Sequence, residues 1–151
     1  MAHQSEIRKQ VFDASVAKLQ EKIGIEQHAI KEMQQMANEY GAPKDRYDGF
    51  RMQLLRKKDL MAEMLQKTIN ELETIQRIGL ERENSAVGTG AMVITESQKL
   101  FIAVPLGKVE VDGENWQVIS PSAPIINHLQ GLHTGDTFDF VGKKHKILDV
   151  F

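Results

Sequence analysis

The stretch EYGAPKDRYD, residues 39–48, separates two long segments of helical pattern and decides how this chain folds. Gly41 suits the position just after a helix end, and Pro43 suits the first turn of the helix that follows. A proline inside a helix also removes a backbone hydrogen bond and clashes with the preceding turn, which argues against one continuous helix here. We therefore predict that the chain turns back at this point.

Apolar side chains recur at alternating spacings of four and three on both sides of the break. The first stripe is Phe12, Val16, Leu19, Ile23, Ile30, Met33, Ala37 and Tyr40, with Glu26 as its charged member. The second is Leu54, Met61, Leu65, Leu72 and Ile75, with Lys58 and Thr68 at the remaining positions. Such spacing is typical of a coiled-coil seam, and each seam needs an apolar partner. The stripes predict an antiparallel helical hairpin over residues 1–80, with its tip near residues 41–48.

The remainder of the chain has a different pattern. Residues 81–90 show no period and are predicted to be a linker. Six β segments follow, at Ala91–Thr95, Leu100–Pro105, Val109–Val111, Trp116–Ile119, Thr137–Val141 and His145–Val150. Asp112-Gly113 predicts a hairpin turn, and a second hairpin is expected across Gly142–Lys144. Pro124–Leu132 is predicted to be one short helix with Ser122 as its N-cap. Residues 91–151 thus form a small β domain with one short helix, and the fold class is α+β.

Composition excludes several kinds of protein. The 151 residues carry a net charge of -2 and contain no cysteine. Disulfides and thiolate metal sites are therefore excluded, and the lack of a basic excess argues against independent DNA binding. There is no signal-peptide pattern and no apolar run long enough to cross a bilayer. The five histidines lack a zinc-like spacing. We expect a cytoplasmic protein with no membrane association and no cofactor of its own.

At this point the chain resembles the Gre family, bacterial transcript-cleavage factors that bind RNA polymerase. The resemblance lies in the helical hairpin followed by a small β domain, and in the tip at residues 39–48. It lies also in VISPSAPI (118–125), followed by LQGL (129–132) and TGD (134–136). The family pattern is similar: a Ser-Pro-Ile-type loop, a short helix ending near Leu and Gly, and a Gly-Asp turn. Together these features cover most of the chain.

The resemblance implies an FKBP-like β domain and a mechanism. In that family the coiled coil enters the secondary channel of RNA polymerase, and the C-terminal domain binds the rim of the channel. Tip carboxylates help to hold a magnesium ion at the polymerase active site, where hard oxygen ligands suit that metal. The chain would then be an accessory factor and not an enzyme. Its polymerase-binding residues would be Ser122, Ala123, Pro124 and Ile125.

The tip of this chain departs from the family pattern. The family carries an acidic residue directly after the glycine, whereas this chain has Ala42, which cannot coordinate a metal. Asp45 matches the second acidic position. Asp48 lies three residues further on, so on a helix the two carboxylates would share a face and could share a magnesium ion. Aspartates in a first helical turn also complement the helix dipole without any metal.

A basic group near the tip has two interpretations. It consists of Lys44, Arg46, Arg51, Arg56 and Lys57, with Lys58 next along the chain. Such residues could contact transcript RNA or acidic channel walls through phosphate or carboxylate pairing. The alternative is the solvated face of a long helix, balanced by acidic neighbours.

The residues favour a monomeric regulator that occupies the polymerase channel, with transcript cleavage weakly stimulated or not stimulated at all because of Ala42. A competent cleavage factor that uses Asp45 and Asp48 is the first alternative. A coiled-coil adaptor that forms a parallel dimer and never contacts the polymerase is the second. An autonomous hydrolase or isomerase is disfavoured, because no nucleophile and base cluster in the sequence.

Overall fold

The computed structural model describes residues 2–39, 48–80 and 83–151. Three helices lie at α1 (Ala2–Glu39), α2 (Asp48–Ile78) and α3 (Ile126–Leu129). Six strands lie at β1 (Met92–Thr95), β2 (Lys99–Ile102), β3 (Gly107–Val111), β4 (Glu114–Ile119), β5 (Thr137–Phe140) and β6 (Lys143–Val150). The predicted α+β fold class, with two long helices followed by a β domain, is confirmed. No helix within the described residues is long and apolar enough to span a membrane.

The chain divides into two compact units. The helical unit is Lys18–Leu72, and the sheet unit combines Met1–Ala17 with Glu73–Phe151. Helix α1 therefore contributes its first turns to the sheet unit and the rest to the helical unit. The predicted division into residues 1–80, 81–90 and 91–151 stays a prediction.

Two hydrogen bonds between side chains fix the direction of the helices in the helical unit. Thr68 Oγ1 donates to Glu26 Oε1 at 2.8 Å, and Lys58 Nζ donates to Gln34 Oε1 at 2.9 Å. The later residue of α1 pairs with the earlier residue of α2, so the helices run antiparallel. These bonds partly satisfy the polar members of the seam, because buried polar groups are stable only when they are hydrogen-bonded. The second carboxylate oxygen of Glu26, Oε2, is buried without a hydrogen-bond partner.

The predicted stripes face the interior of the helical pair. Leu19, Ala37, Leu54 and Thr68 are buried, and the other stripe residues of this unit that the structure describes are half-buried. A seam two residues wide leaves many side chains partly accessible, as expected for a coiled coil rather than a globular helix.

The sheet unit contains one six-stranded sheet with the order β3-β4-β2-β1-β6-β5. Strand β2 pairs in parallel with β4, and the other neighbours are antiparallel. One core cluster joins residues of the sheet to α3 and the segment before β1. The buried members are Val87, Ala91, Val93, Leu100, Ile102, Ile126, Leu129, Phe138, Ile147 and Val150.

The first turns of α1 are part of this unit. Arg8 is buried, and its Nη2 donates to the main-chain oxygen of Phe151 at 2.8 Å. Gln4 Nε2 donates to Asp149 Oδ2 at 2.9 Å. The sequence pattern predicted only a hairpin arm here, so these contacts with the end of β6 are an addition from the structure.

Two hairpins of the sheet share one turn geometry. Asp112 and Gly113 join β3 to β4 with φ values of 50° and 79°, and Val141 and Gly142 join β5 to β6 with 54° and 72°. Two central residues with positive φ are what a type I′ turn requires. The prediction for Asp112-Gly113 is confirmed. The second turn was predicted across Gly142–Lys144, which is wrong, because β6 already begins at Lys143.

Helix α3 is shorter than predicted. It begins at Ile126, and no side chain caps its first turn. The prediction of Ser122 as the N-cap is wrong, because a separate turn precedes the helix. In that turn the Ala123 N–H donates to the Ser120 carbonyl at 3.0 Å.

Candidate functional site

The predicted magnesium ligands, Asp45 and Asp48, belong to the segment between the two long helices. Lys44, Asp45 and Arg46 lie outside the described residues, as does Ala42. Asp48 is the first residue of α2, and its side chain is also outside the described part. The tip assignments, including a shared magnesium ion, therefore stay predictions.

The basic group along α2 is partly described. Arg56 and Lys57 are exposed, whereas Arg51 is half-buried. Lys58 takes part in the seam through its bond to Gln34. Among the described members of the group, Arg56 and Lys57 present charge to solvent, and exposed cations of this kind can pair with phosphate or carboxylate groups.

The loop before α3 is shaped by Ser120. The Ser120 hydroxyl accepts from the Ser122 backbone N–H at 3.1 Å and lies 2.8 Å from the Ser122 hydroxyl. A serine that bonds the backbone two residues on, with Pro121 inside the turn and Pro124 directly after it, restricts the loop to few conformations. The predicted polymerase-binding residues are thus held in a defined arrangement.

The four residues predicted from this loop do not share one environment. Ser122 and Pro124 are exposed, whereas Ala123 and Ile125 are half-buried and pack against the core of the sheet unit. A partner that approaches the loop would meet Ser122 and Pro124 first. Ala123 and Ile125 serve mainly to anchor the loop.

A neighbouring surface was not predicted from the sequence. The His128 ring of α3 lies edge-on to the Phe140 ring of β5, with 5.4 Å between ring centroids. The next residue, Val141, is 81% exposed. A signal was present in the sequence, because a β-branched residue directly before a turn glycine is unusual in a hairpin. We call Pro124, His128, Phe140 and Val141 the α3–β5 surface.

A crevice of about 380 Å³ lies between the first turns of α1 and one end of the sheet. Lys99 and Glu114 form an ion pair at its side, and the Lys99 ammonium lies 6.0 Å from the centre of the Trp116 ring. Because this lysine is already paired, it offers little charge to a ligand. No group of three His, Cys, Asp or Glu residues in the described part of the chain could hold a metal ion.

One serine–histidine contact exists in the sheet unit. Ser97 Oγ lies 3.3 Å from His145 Nδ1, and the His145 ring stacks on Phe138 with centroids 5.2 Å apart. A nucleophile of the serine type needs its histidine to be oriented by a third group. No carboxylate is hydrogen-bonded to His145 among the residues described, so this pair lacks the arrangement of a catalytic triad.

Comparisons with known proteins give limited matches. No protein-family model matches the chain, and no curated protein matches it. Among solved structures, the chain is similar to the transcription factor Gfh1, with 19% identity over 91% of this chain and 93% of that chain and a TM-score of 0.33. It is also similar to the GreA factor homolog 1 (Gfh1) protein of Thermus thermophilus, with 17% identity over 91% and 95% and a TM-score of 0.33. Superposition at this level does not establish a common fold, so the Gre resemblance rests on the sequence motifs.

Proposed function

We propose that this chain is an RNA polymerase-binding transcription regulator whose helical pair enters the secondary channel, and that it stimulates transcript cleavage weakly or not at all. The observation that carries the proposal is a pair of long antiparallel helices joined by residues 40–47. At about 1.5 Å per residue, the 31 residues of α2 extend roughly 46 Å. This length suits a helical pair that reaches into a channel.

The separate sheet unit supports a second contact with the polymerase. Its loop at residues 120–125 is restrained by Ser120 and presents Ser122 and Pro124 to solvent. A rigid exposed loop loses little conformational entropy on binding, which favours affinity. In this proposal the loop binds the rim of the channel while the helices enter it.

The weak cleavage activity follows from the composition of the tip. Asp45 and Asp48 are the carboxylates that would help to hold a magnesium ion of the polymerase, and that ion would supply the charge stabilisation for RNA hydrolysis. Ala42 removes one expected ligand. The protein acts in the cytoplasm as an accessory factor without catalysis of its own, and Arg56 and Lys57 contact RNA or acidic channel walls.

A backtracked bacterial elongation complex with RNA labelled at its 5′ end tests the proposal. We expect the unaltered chain to bind the complex and to leave the RNA nearly full length. Ala42→Asp should increase 3′-end shortening by at least tenfold, because a second metal ligand strengthens a weakly held ion. Asp45→Ala in that background should abolish the gain, whereas Asp59→Ala, which removes a carboxylate further along α2, should not.

Three outcomes would contradict parts of this assignment. Efficient shortening by the unaltered chain would favour the competent cleavage factor that uses Asp45 and Asp48. Binding without any effect of Ala42→Asp or Asp45→Ala would disprove the role of the tip. Absence of binding, together with a stable dimer in sedimentation, would favour the coiled-coil adaptor.

A further inference from the structure

Val141 has a backbone conformation that its side chain disfavours. It stands at the first central position of the β5–β6 turn with φ of 54°. For a β-branched residue this left-handed conformation is a genuine outlier, because the side chain crowds its own backbone. The residues that ordinarily fill this position are Asn, Asp and Gly.

The other type I′ turn of the same sheet provides an internal comparison. There Asp112 has nearly the same φ, 50°, and is followed by a glycine in the same way. Both turns therefore require a positive φ at the first central residue. In the β3–β4 turn this residue is Asp112, which favours that conformation, and in the β5–β6 turn it is Val141, which disfavours it.

Packing within the chain does not compensate for the strain at Val141. The side chain is 81% exposed, the largest exposed fraction among the large apolar residues described. Because the valine is exposed, it contributes almost no hydrophobic stabilisation to the folded chain. Neither turn geometry nor core packing therefore explains why a valine occupies position 141. Strained residues of this kind concentrate at functional sites, such as active sites, ligand clamps and switch regions.

Val141 is connected to the predicted polymerase-binding loop through Phe140 and α3. Phe140, its neighbour, contacts His128 of α3, and α3 directly follows Ile125. Phe140 and Ile125 also pack against the same core. The His128–Phe140 contact thus links α3, which follows the loop, to the strand that leads into the β5–β6 turn.

The charges around the turn indicate the chemistry of the partner. Lys143 and Lys144 follow the turn directly and are both exposed, and the exposed Asp139 of β5 lies opposite Lys144. An apolar tip next to two cations fits an apolar depression with carboxylates at its edge.

We propose that Val141 is a docking residue that inserts into an acidic-rimmed apolar depression on the RNA polymerase surface, next to the site of the 120–125 loop. This inference rests on the proposed function and adds a second contact to it. Burial of Val141 at that interface supplies the stabilisation that the isolated chain lacks. Lys143 and Lys144 pair with the carboxylates, so binding weakens as salt rises.

Val141→Asn tests the inference because it changes stability and binding in opposite directions. Asparagine is a favoured residue in this turn, so the thermal midpoint of the sheet unit should rise by about 2–6 °C. Affinity for RNA polymerase, measured with labelled protein, should fall about tenfold. Val141→Gly, which also relieves the strain and removes the side chain, should behave in the same way.

Asp112→Val is the matched control, since it introduces the same strain into the other turn. Its thermal midpoint should fall while its affinity for the polymerase stays unchanged. Normal binding by Val141→Asn and Val141→Gly would overturn the docking role and leave the proposed function intact. No rise in thermal midpoint in either variant would overturn the argument from strain. If the unaltered chain does not bind the polymerase, the proposed function and this contact both fall.

Discussion

In the sheet unit, Val93, Phe101 and Ile147 have no exposed surface, whereas most seam side chains of the helical unit remain half-buried. The sheet unit has a continuous apolar core between the sheet, α3 and the segment before β1. The helical unit has a narrow seam with two polar pairs, Glu26–Thr68 and Gln34–Lys58. Burial of apolar area is the main source of stability in the sheet unit.

The polar pairs of the seam have a different role. A net hydrogen bond contributes only about 1 kcal/mol, but a buried polar group without a partner costs more than that. A shift of one helix along the other would separate both pairs. The polar pairs therefore make the seam less stable than an apolar one would be, but they define how the two helices align. A defined alignment matters if the end of the helical pair must reach one position.

Phe101→Ala has the largest effect that this comparison predicts. Phe101 is fully buried on the inner strand β2, so the change should lower the free energy of unfolding of the sheet unit by about 3–5 kcal/mol. Fluorescence of Trp116, the one tryptophan of the chain, reports on this unit during urea unfolding. Leu148→Ala, at a side chain 49% exposed on β6, serves as the control and should cost far less. Similar losses for both variants would mean that the sheet unit lacks a tightly packed core.

Thr68→Val has an intermediate effect and acts on the helical unit. It conserves shape but leaves Glu26 Oε1 without its donor, which should cost about 1–3 kcal/mol. Far-ultraviolet circular dichroism during urea unfolding measures the change. The double variant Glu26→Leu/Thr68→Val removes both polar groups and should recover most of the loss. A double variant that is less stable than Thr68→Val alone would show that the pair stabilises the seam directly.

Gly24→Ala has the smallest effect and should stabilise the helical unit. A Cβ at Gly24 would meet no atom within 4 Å, and alanine favours a helix interior over glycine by about 0.8–1 kcal/mol. The same circular dichroism experiment detects the gain. Gly113→Ala is the contrasting control, because its φ of 79° disfavours alanine and should lower stability. A loss of stability in Gly24→Ala would indicate that the helix needs a flexible point there.

The sequence predicted the parts of this fold that depend on local pattern. The two stripes predicted the long helices, and Asp112-Gly113 predicted a hairpin turn, because spacing and turn propensity are local properties. The parallel pairing of β2 with β4 was not predicted, since strand order depends on contacts between residues far apart in sequence. The packing of Arg8 on Phe151 was missed for the same reason.

The candidate site was predictable to a lesser degree. The loop at residues 120–125 is a candidate through the family resemblance alone, and the inward packing of Ala123 and Ile125 needed the structure. Serine is a common N-cap residue, which is why Ser122 was predicted as one. A turn stabilised by Ser120 precedes the helix instead, and the helix begins at Ile126. Val141 was predicted only as the end of a strand, because its importance lies in a backbone angle that the sequence does not state.

Gln4 bonds to Asp149, and Arg8 bonds to Phe151. The partners are separated in sequence by 145 and 143 positions, respectively. Contacts of such high sequence separation form late, because a long loop must close first. During translation, the helical pair can assemble as soon as α2 leaves the ribosome, whereas the first turns of α1 must wait for the last strand. Until then, the buried face around Val11 is accessible to chaperones, and slow synthesis of residues 143–151 would prolong that interval.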